Sequence, residues 1–252
     1  MQKIRGYFMQ KTFSRDIEQA LINWKQKSVH KPLLLRGARQ VGKSHIIEQF
    51  GKTHFNKIVT INFEFQNQFA QCFNRLEPVN IINNIYALSG QKIVAGETLL
   101  FLDEIQECPK AILALRYFRE LMPALHVIAA GSLLEFVLNS TDFRIPVGRI
   151  ECLFLKPVSF KEFLSASGNS QLLIYLANAT LQQDISEPVH NHLLSLVQQY
   201  MVLGGMPEVL SNYFTNHDLQ QVQTIQASLL HTFRNDFGKY DKKVNHKYYI
   251  RA

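Results

Sequence analysis

The sequence predicts an α/β fold, a parallel sheet with helices on both faces, followed by a mostly helical region. Three observations predict it. Short apolar or β-branched runs alternate with helical segments between Pro32 and Leu155, the pattern of βαβ units. A glycine-framed turn, Gly37 to Ser44, joins the first such run to the helix after it. Beyond Pro157 the strand pattern stops and helical spacing takes over.

Each element has its own reason. Residues 15–28 place Ile17, Leu21 and Trp24 four and three apart, an amphipathic helix broken by His30, Lys31 and Pro32. Residues 32–36 (PLLLR) form a short apolar run ending at Gly37, a buried strand. Residues 44–50 are helical in character. Residues 58–65 (IVTINFEF) are β-branched and aromatic and give a second strand. Residues 69–88 are expected to be helical. Residues 98–103 (TLLFLD) give the third strand, residues 111–122 a helix ended by Pro123, and residues 126–130 (HVIAA) the fourth strand. Residues 150–155 (IECLFL) give the fifth. A domain boundary is expected near residue 157, with a core over 1–157 and a mostly helical C-terminal region over 158–252.

The chain has 252 residues, of which 46% are hydrophobic and 19% charged. That is enough apolar material for a core without disulfide or metal staples and excludes a disordered chain. The 27 Lys and Arg against 20 Asp and Glu leave a net charge of +7. This mild excess suits a nucleotide, a nucleic acid or another acidic surface and chooses none of them. Cys72, Cys108 and Cys152 are odd in number and widely spaced, which reads as reduced thiols. With no apolar leader and no apolar run of membrane-spanning length, a cytoplasmic protein without membrane contact is expected.

The turn is Gly37-Ala38-Arg39-Gln40-Val41-Gly42-Lys43-Ser44, which matches GxxxxGK[ST]. Gly37 and Gly42 let the backbone turn tightly and aim its N–H groups at phosphate oxygens. The helix that follows offers its positive end to the same anion. Lys43 reaches the β- and γ-phosphates, and Ser44 places a hydroxyl on Mg²⁺. The spacing thus predicts nucleotide binding by residues 37–44.

The second motif is an apolar run, Leu99 to Leu102, that ends in Asp103 and Glu104. A buried strand delivers Asp103 to the carboxyl edge of the sheet, where ligands of open α/β folds bind. There Asp103 holds Mg²⁺ through water, and Glu104 orients or deprotonates the water that attacks the γ-phosphate.

The pieces PLLLRGARQVGKS, INFE (61–64), LLFLDEIQ (99–106), AAGS (129–132), VGR (147–149), PVSFKEFL (157–164) and LGGMPEVL (203–210) occur in this order. Together they resemble the AAA-like P-loop ATPases of bacteria and archaea, and the resemblance covers nearly the whole chain. It implies a five-stranded sheet of order 5-1-4-3-2, a helical lid, and binding and hydrolysis of Mg-ATP. It matches Ser132 to the polar sensor after the fourth strand. It matches Arg149 to an arginine that completes an ATP site in cis or in a neighbouring subunit. Members usually continue into a C-terminal domain resembling the restriction-nuclease superfamily, so a chain ending in HKYYIRA reads as truncated.

Other features have plainer alternatives. Ser132 can cap the segment after it, and Arg149 can form a structural ion pair. Glu64 is a candidate carboxylate near Mg²⁺ or a polar strand end. Arg39 faces phosphate or solvent. Gly204, Gly205 and Pro207 read as a turn in the helical region. The nine histidines show no HExxH, and His190 and His192 face different sides of a helix. The tail, with Lys239, Lys242, Lys243, Lys247 and Arg251 among Tyr240, Tyr248 and Tyr249, is a solvated end or a weak nucleic-acid contact. A homo-oligomer is an open expectation. Besides an ATPase, two alternatives stand: a nucleotide-dependent switch or DNA-associated module with little turnover, and a small-molecule kinase sharing the Gly37–Ser44 loop.

Overall fold

A computed structural model describes residues 13–132, 148–180 and 184–240. Five strands build one sheet: β1 (Leu33–Arg36), β2 (Lys57–Asn62), β3 (Thr98–Asp103), β4 (His126–Ala130) and β5 (Glu151–Phe154). All pairings are parallel and the order is β2-β3-β4-β1-β5, the order expected from the resemblance read from its other edge. The apolar character of the central strands has a direct cause. Every residue of β3 and β4 is buried, so neither strand shows the alternation of a half-exposed one.

Among the described residues four α-helices accompany the sheet: α1 (Ile17–Gln26), α2 (Lys43–His54), α3 (Pro78–Ser89) and α4 (Pro109–Leu121). The helical stretch expected over 69–88 comes in two pieces. Asn67–Phe73 is a 3-10 helix, and α3 begins afresh with Pro78 at its first position. Proline suits that position because the first turn has no use for its missing N–H, whereas inside a longer helix it would break the ladder. One apolar cluster joins Val59, Ile61, Leu100 and Leu102 of the sheet to Phe73, Ile81, Ile85, Leu115 and Phe118 of these helices.

The chain divides into two compact units. Asp16–Lys156 holds the sheet, and the second unit runs from Pro157 and includes the segment ending at Arg15. Residues 13–15 therefore depart from the sequence expectation, which put them with the sheet. The reason is an ion pair: Arg15 Nε donates to Glu162 Oε1 at 3.1 Å, with both side chains about 8% exposed or less.

The described part of the second unit is helical: α5 (Phe160–Ala166), α6 (Ser170–Asn178), α7 (Glu187–Leu203), α8 (Pro207–Asn216) and α9 (Leu219–Tyr240). Ser159 and Glu162 form a reciprocal capping box that starts α5. Its core is Val158, Phe163, Leu164, Leu196, Leu203, Val209, Leu210, Val222 and Leu229. The turn at Gly204–Pro207 has a packing role. Val158 N–H donates to Gly205 O at 2.7 Å, and a Cβ at Gly205 would lie 2.4 Å from Val158 O. Only glycine fits so close an approach. No helix among the described residues is long and apolar enough to cross a membrane.

Candidate functional site

The loop from Gly37 to Gly42 leaves the carboxyl end of β1 and enters α2. Gly37 has φ 148 and Gly42 φ 94, with Gln40 at φ 64 between them. Positive-φ residues interrupting the loop in this way are the backbone setting in which neighbouring N–H groups can converge on an anion, a nest. Gly37 is also needed for space, because a Cβ there would stand 2.3 Å from Leu155 O. Val41 is fully buried, and it pins the loop from beneath. Ala38 and Gln40 are exposed, and Arg39 is half-buried.

Lys43 is only 6% exposed. Its ammonium donates to Gly37 O at 2.9 Å and Ala38 O at 2.7 Å, so the lysine closes over its own loop. The charge is thereby held beside the nest, at the first residue of α2, where the helix dipole favours an anion.

Asp103 ends β3, 5% exposed. Ser44 Oγ donates to its Oδ2 at 2.8 Å. Asn62, the register partner of Asp103 across β2–β3, donates from Nδ2 to the same oxygen at 3.1 Å. Burial pushes the Asp103 carboxyl above the usual carboxylate range, and the bond from Ser44 opposes this. An ionised carboxylate so desolvated gains from a cation beside it. With Ser44 it offers hard oxygen donors of the kind Mg²⁺ takes.

Asn62 is a residue the sequence did not single out for a role. Its Oδ1 accepts from the N–H groups of Glu64 and Phe65 at 3.0 and 3.2 Å. The chain therefore turns after Asn62 and Glu64 is exposed, so the carboxylate expected at the strand end is replaced there by an amide. Glu104 follows Asp103 in the left-handed region, with its N–H donating to Asp103 Oδ1 at 3.1 Å. Its Oε2 accepts from Gln106 Nε2 at 2.6 Å. A short polar side chain ending β2, and a glutamine two residues past the acidic pair, are the signals that could have flagged both.

Ser132 is 9% exposed and lies two residues past β4, at the same carboxyl edge of the sheet. Arg149 is elsewhere. Its Nε lies 3.3 Å from Glu120 Oε1, which Arg116 Nε meets at 3.0 Å. Glu120 lies near the end of α4, before β4 begins, and Arg149 comes just before β5. In a parallel sheet the strand beginnings share one edge, so this ion pair sits at the amino edge and the loop at the carboxyl edge. The cis role expected for Arg149 does not fit that placement. Val147, the segment after Ser132 and the tail from residue 241 lie outside the described residues.

The family model described as an AAA domain matches residues 29–164. No curated protein matches the chain. Among solved structures the chain is similar to the Walker-type ATPase of Pyrococcus abyssi. Identity is 16% and the TM-score 0.54, over 90% of this chain and 76% of that one. It is also similar to PCH-2 of C. elegans, at 12% identity and TM-score 0.46, over 86% of this chain and 68% of the other. AMPPCP-bound DnaA of Aquifex aeolicus gives 15% and 0.43, over 94% of this chain and 69% of the other. At 16% identity the likeness to the Pyrococcus abyssi ATPase is one of fold.

Proposed function

The chain belongs to the AAA domain family, and on that premise we propose that it binds ATP with Mg²⁺ and hydrolyses the γ-phosphate bond. The observation that carries this reading is the 2.8 Å contact between Ser44 and Asp103 beside the Gly37–Ser44 loop. Two residues far apart in sequence meet where a phosphate-bound cation needs them.

In this reading the N–H groups of residues 38–44 receive the phosphate oxygens. Lys43 exchanges the carbonyls of Gly37 and Ala38 for the β- and γ-phosphates. Ser44 and Asp103 hold Mg²⁺, which when bound neutralises charge on the phosphate oxygens. Glu104 accepts the proton of the attacking water. Ser132 donates to the γ-phosphate or that water. Phosphoryl transfer asks mainly for position and charge, so these groups suffice for slow turnover. The helical unit from Pro157 serves as the lid region, and the setting is cytoplasmic. Arg149 takes part only in trans, from a second copy.

Phosphate release by the purified chain tests this. Wild type releases phosphate from ATP, Lys43→Ala loses nucleotide binding, and Glu104→Gln binds ATP but releases at least about a hundredfold less. A chain that binds no ATP overturns the reading. A chain that binds ATP and releases phosphate equally slowly with or without Glu104 is the switch with little turnover, DNA-associated if added duplex changes ATP affinity.

A further inference from the structure

We propose that Gln106 is a positioning residue for Glu104: it holds one carboxylate oxygen so that the other is presented to the water attacking ATP. This rests on the ATPase reading above. In that step the water oxygen bonds the γ-phosphorus, the bond to the β-phosphate oxygen breaks with its electron pair left on ADP, and the water's proton passes to Glu104.

Glu104 stands at φ 49 and ψ 46. A non-glycine residue keeps such a backbone only where its surroundings over-determine it, and these positions gather at reacting centres. Three bonds fix it here. Its N–H donates to Asp103 Oδ1 at 3.1 Å, its carbonyl accepts from Glu107 N–H at 3.0 Å, and its Oε2 accepts from Gln106 Nε2 at 2.6 Å. The first two hold the backbone alone. The carboxylate turns on a broad terminal torsion, so without the third bond its oxygens sample many directions.

Gln106 makes this bond at a cost to itself. Its own Oε1 is buried with no hydrogen-bond partner among the described residues. A buried amide oxygen left unpaired is disfavoured, and such groups call for a reason. The bond to Glu104 is charge-assisted and stronger than a neutral one, which supplies that reason. Ile105, fully buried between the two, anchors the 3-10 turn that brings residue 106 back over residue 104. A base held at one oxygen meets the water in one geometry, and orientation of this kind is worth large factors in rate.

The test is Gln106→Ala in the full chain. The expected result is a kcat for phosphate release about tenfold lower, with KM for ATP, binding of a non-hydrolysable ATP analogue and the melting temperature unchanged. Gln106→Glu keeps the length, removes the donor and sets a like charge against Glu104, and falls at least as far. In a Glu104→Gln background, Gln106→Ala changes single-turnover release less than about twofold, because the carboxylate it holds is gone. Wild-type kcat in Gln106→Ala overturns the inference, as does an equal loss in both backgrounds, which is what a structural role gives. If wild type releases no more phosphate than Lys43→Ala, the ATPase reading has failed and takes this inference with it. If wild type turns over and Gln106 is indifferent, this inference alone falls.

Discussion

Ser44 and Asp103 lie 59 residues apart in the chain, yet the hydroxyl of one donates to the carboxylate of the other across 2.8 Å. The contact exists because β1 and β3 run parallel and deliver their following residues to one edge of the sheet. The carboxylate is buried there and its charged form is disfavoured by desolvation. Asp103→Asn keeps an acceptor for Ser44 and Asn62 and removes the disfavoured charge, but its NH2 gives up the bond from the Glu104 N–H. The two effects oppose, so the expected outcome is a ligand-free melting temperature within a few degrees of wild type, while the tightening of ATP binding by Mg²⁺ falls about 10–100-fold. Calorimetric melting and Mg²⁺ titrations of nucleotide binding check the two halves.

Gly37→Ala acts on the loop through space and backbone together. Its Cβ would stand 2.3 Å from Leu155 O, and φ 148 is strained for alanine. A loss of about 2–3 kcal/mol of stability and of most nucleotide affinity is expected. Gly96→Ala separates the two causes, since Gly96 has φ 84 but nothing within 4 Å of an added Cβ. Gly96→Ala is expected to cost only about 1 kcal/mol in denaturant unfolding.

The strands and the loop are legible in the sequence because their signals are local. A buried central strand such as β3 must be apolar along its whole length, and the loop must carry glycine where no Cβ fits. Asn62 and Gln106 are not legible in the same way. Asn62 matters because register places it opposite Asp103, and register joins residues 41 apart. Gln106 matters because a short 3-10 turn folds it back on Glu104, a geometry that composition does not encode. Arg149 shows the converse: its motif is visible, but which edge of the sheet it occupies follows only from strand direction and the partner Glu120.

Arg15 and Glu162 form a pair that a truncation study can expose. Glu162 serves both the α5 capping box and the guanidinium of Arg15, and all of this is buried. Removing Arg15 takes the guanidinium away from a buried carboxylate. Arg15→Met is expected to cost about 3 kcal/mol, while Glu162→Gln in the Arg15→Met chain recovers part of it. Urea unfolding of the single and double variants measures the coupling, and additive losses would show that the pair contributes nothing jointly.

His30 and His126 stack at 3.9 Å between ring centroids, 8° from parallel, with Trp24 edge-on to both. His30 Nε2 lies 3.3 Å from Leu125 O. Burial, and then the neighbouring His30, hold the His126 imidazole down to about 4, and burial likewise lowers His30, with Arg119 adding to it. Lys25, whose ammonium lies 4.7 Å from the Phe55 ring centroid, also disfavours a charged His126. In the unfolded chain these rings take up protons near pH 6.5. Between that pH and about 4 the unfolded state therefore binds more protons than the folded one. Stability is then full above about pH 6.5 and is lost as pH falls toward 4, with a slope of up to ~1.4 kcal/mol per pH unit for each imidazole. His126→Phe keeps an aromatic ring on Trp24 and Phe55 and removes one titrating group. Its unfolding free energy between pH 4.5 and 6.5 is expected to fall less steeply than that of wild type, with the two curves meeting the same plateau shape above pH 7. Parallel curves across that window would place the acid sensitivity elsewhere in the chain.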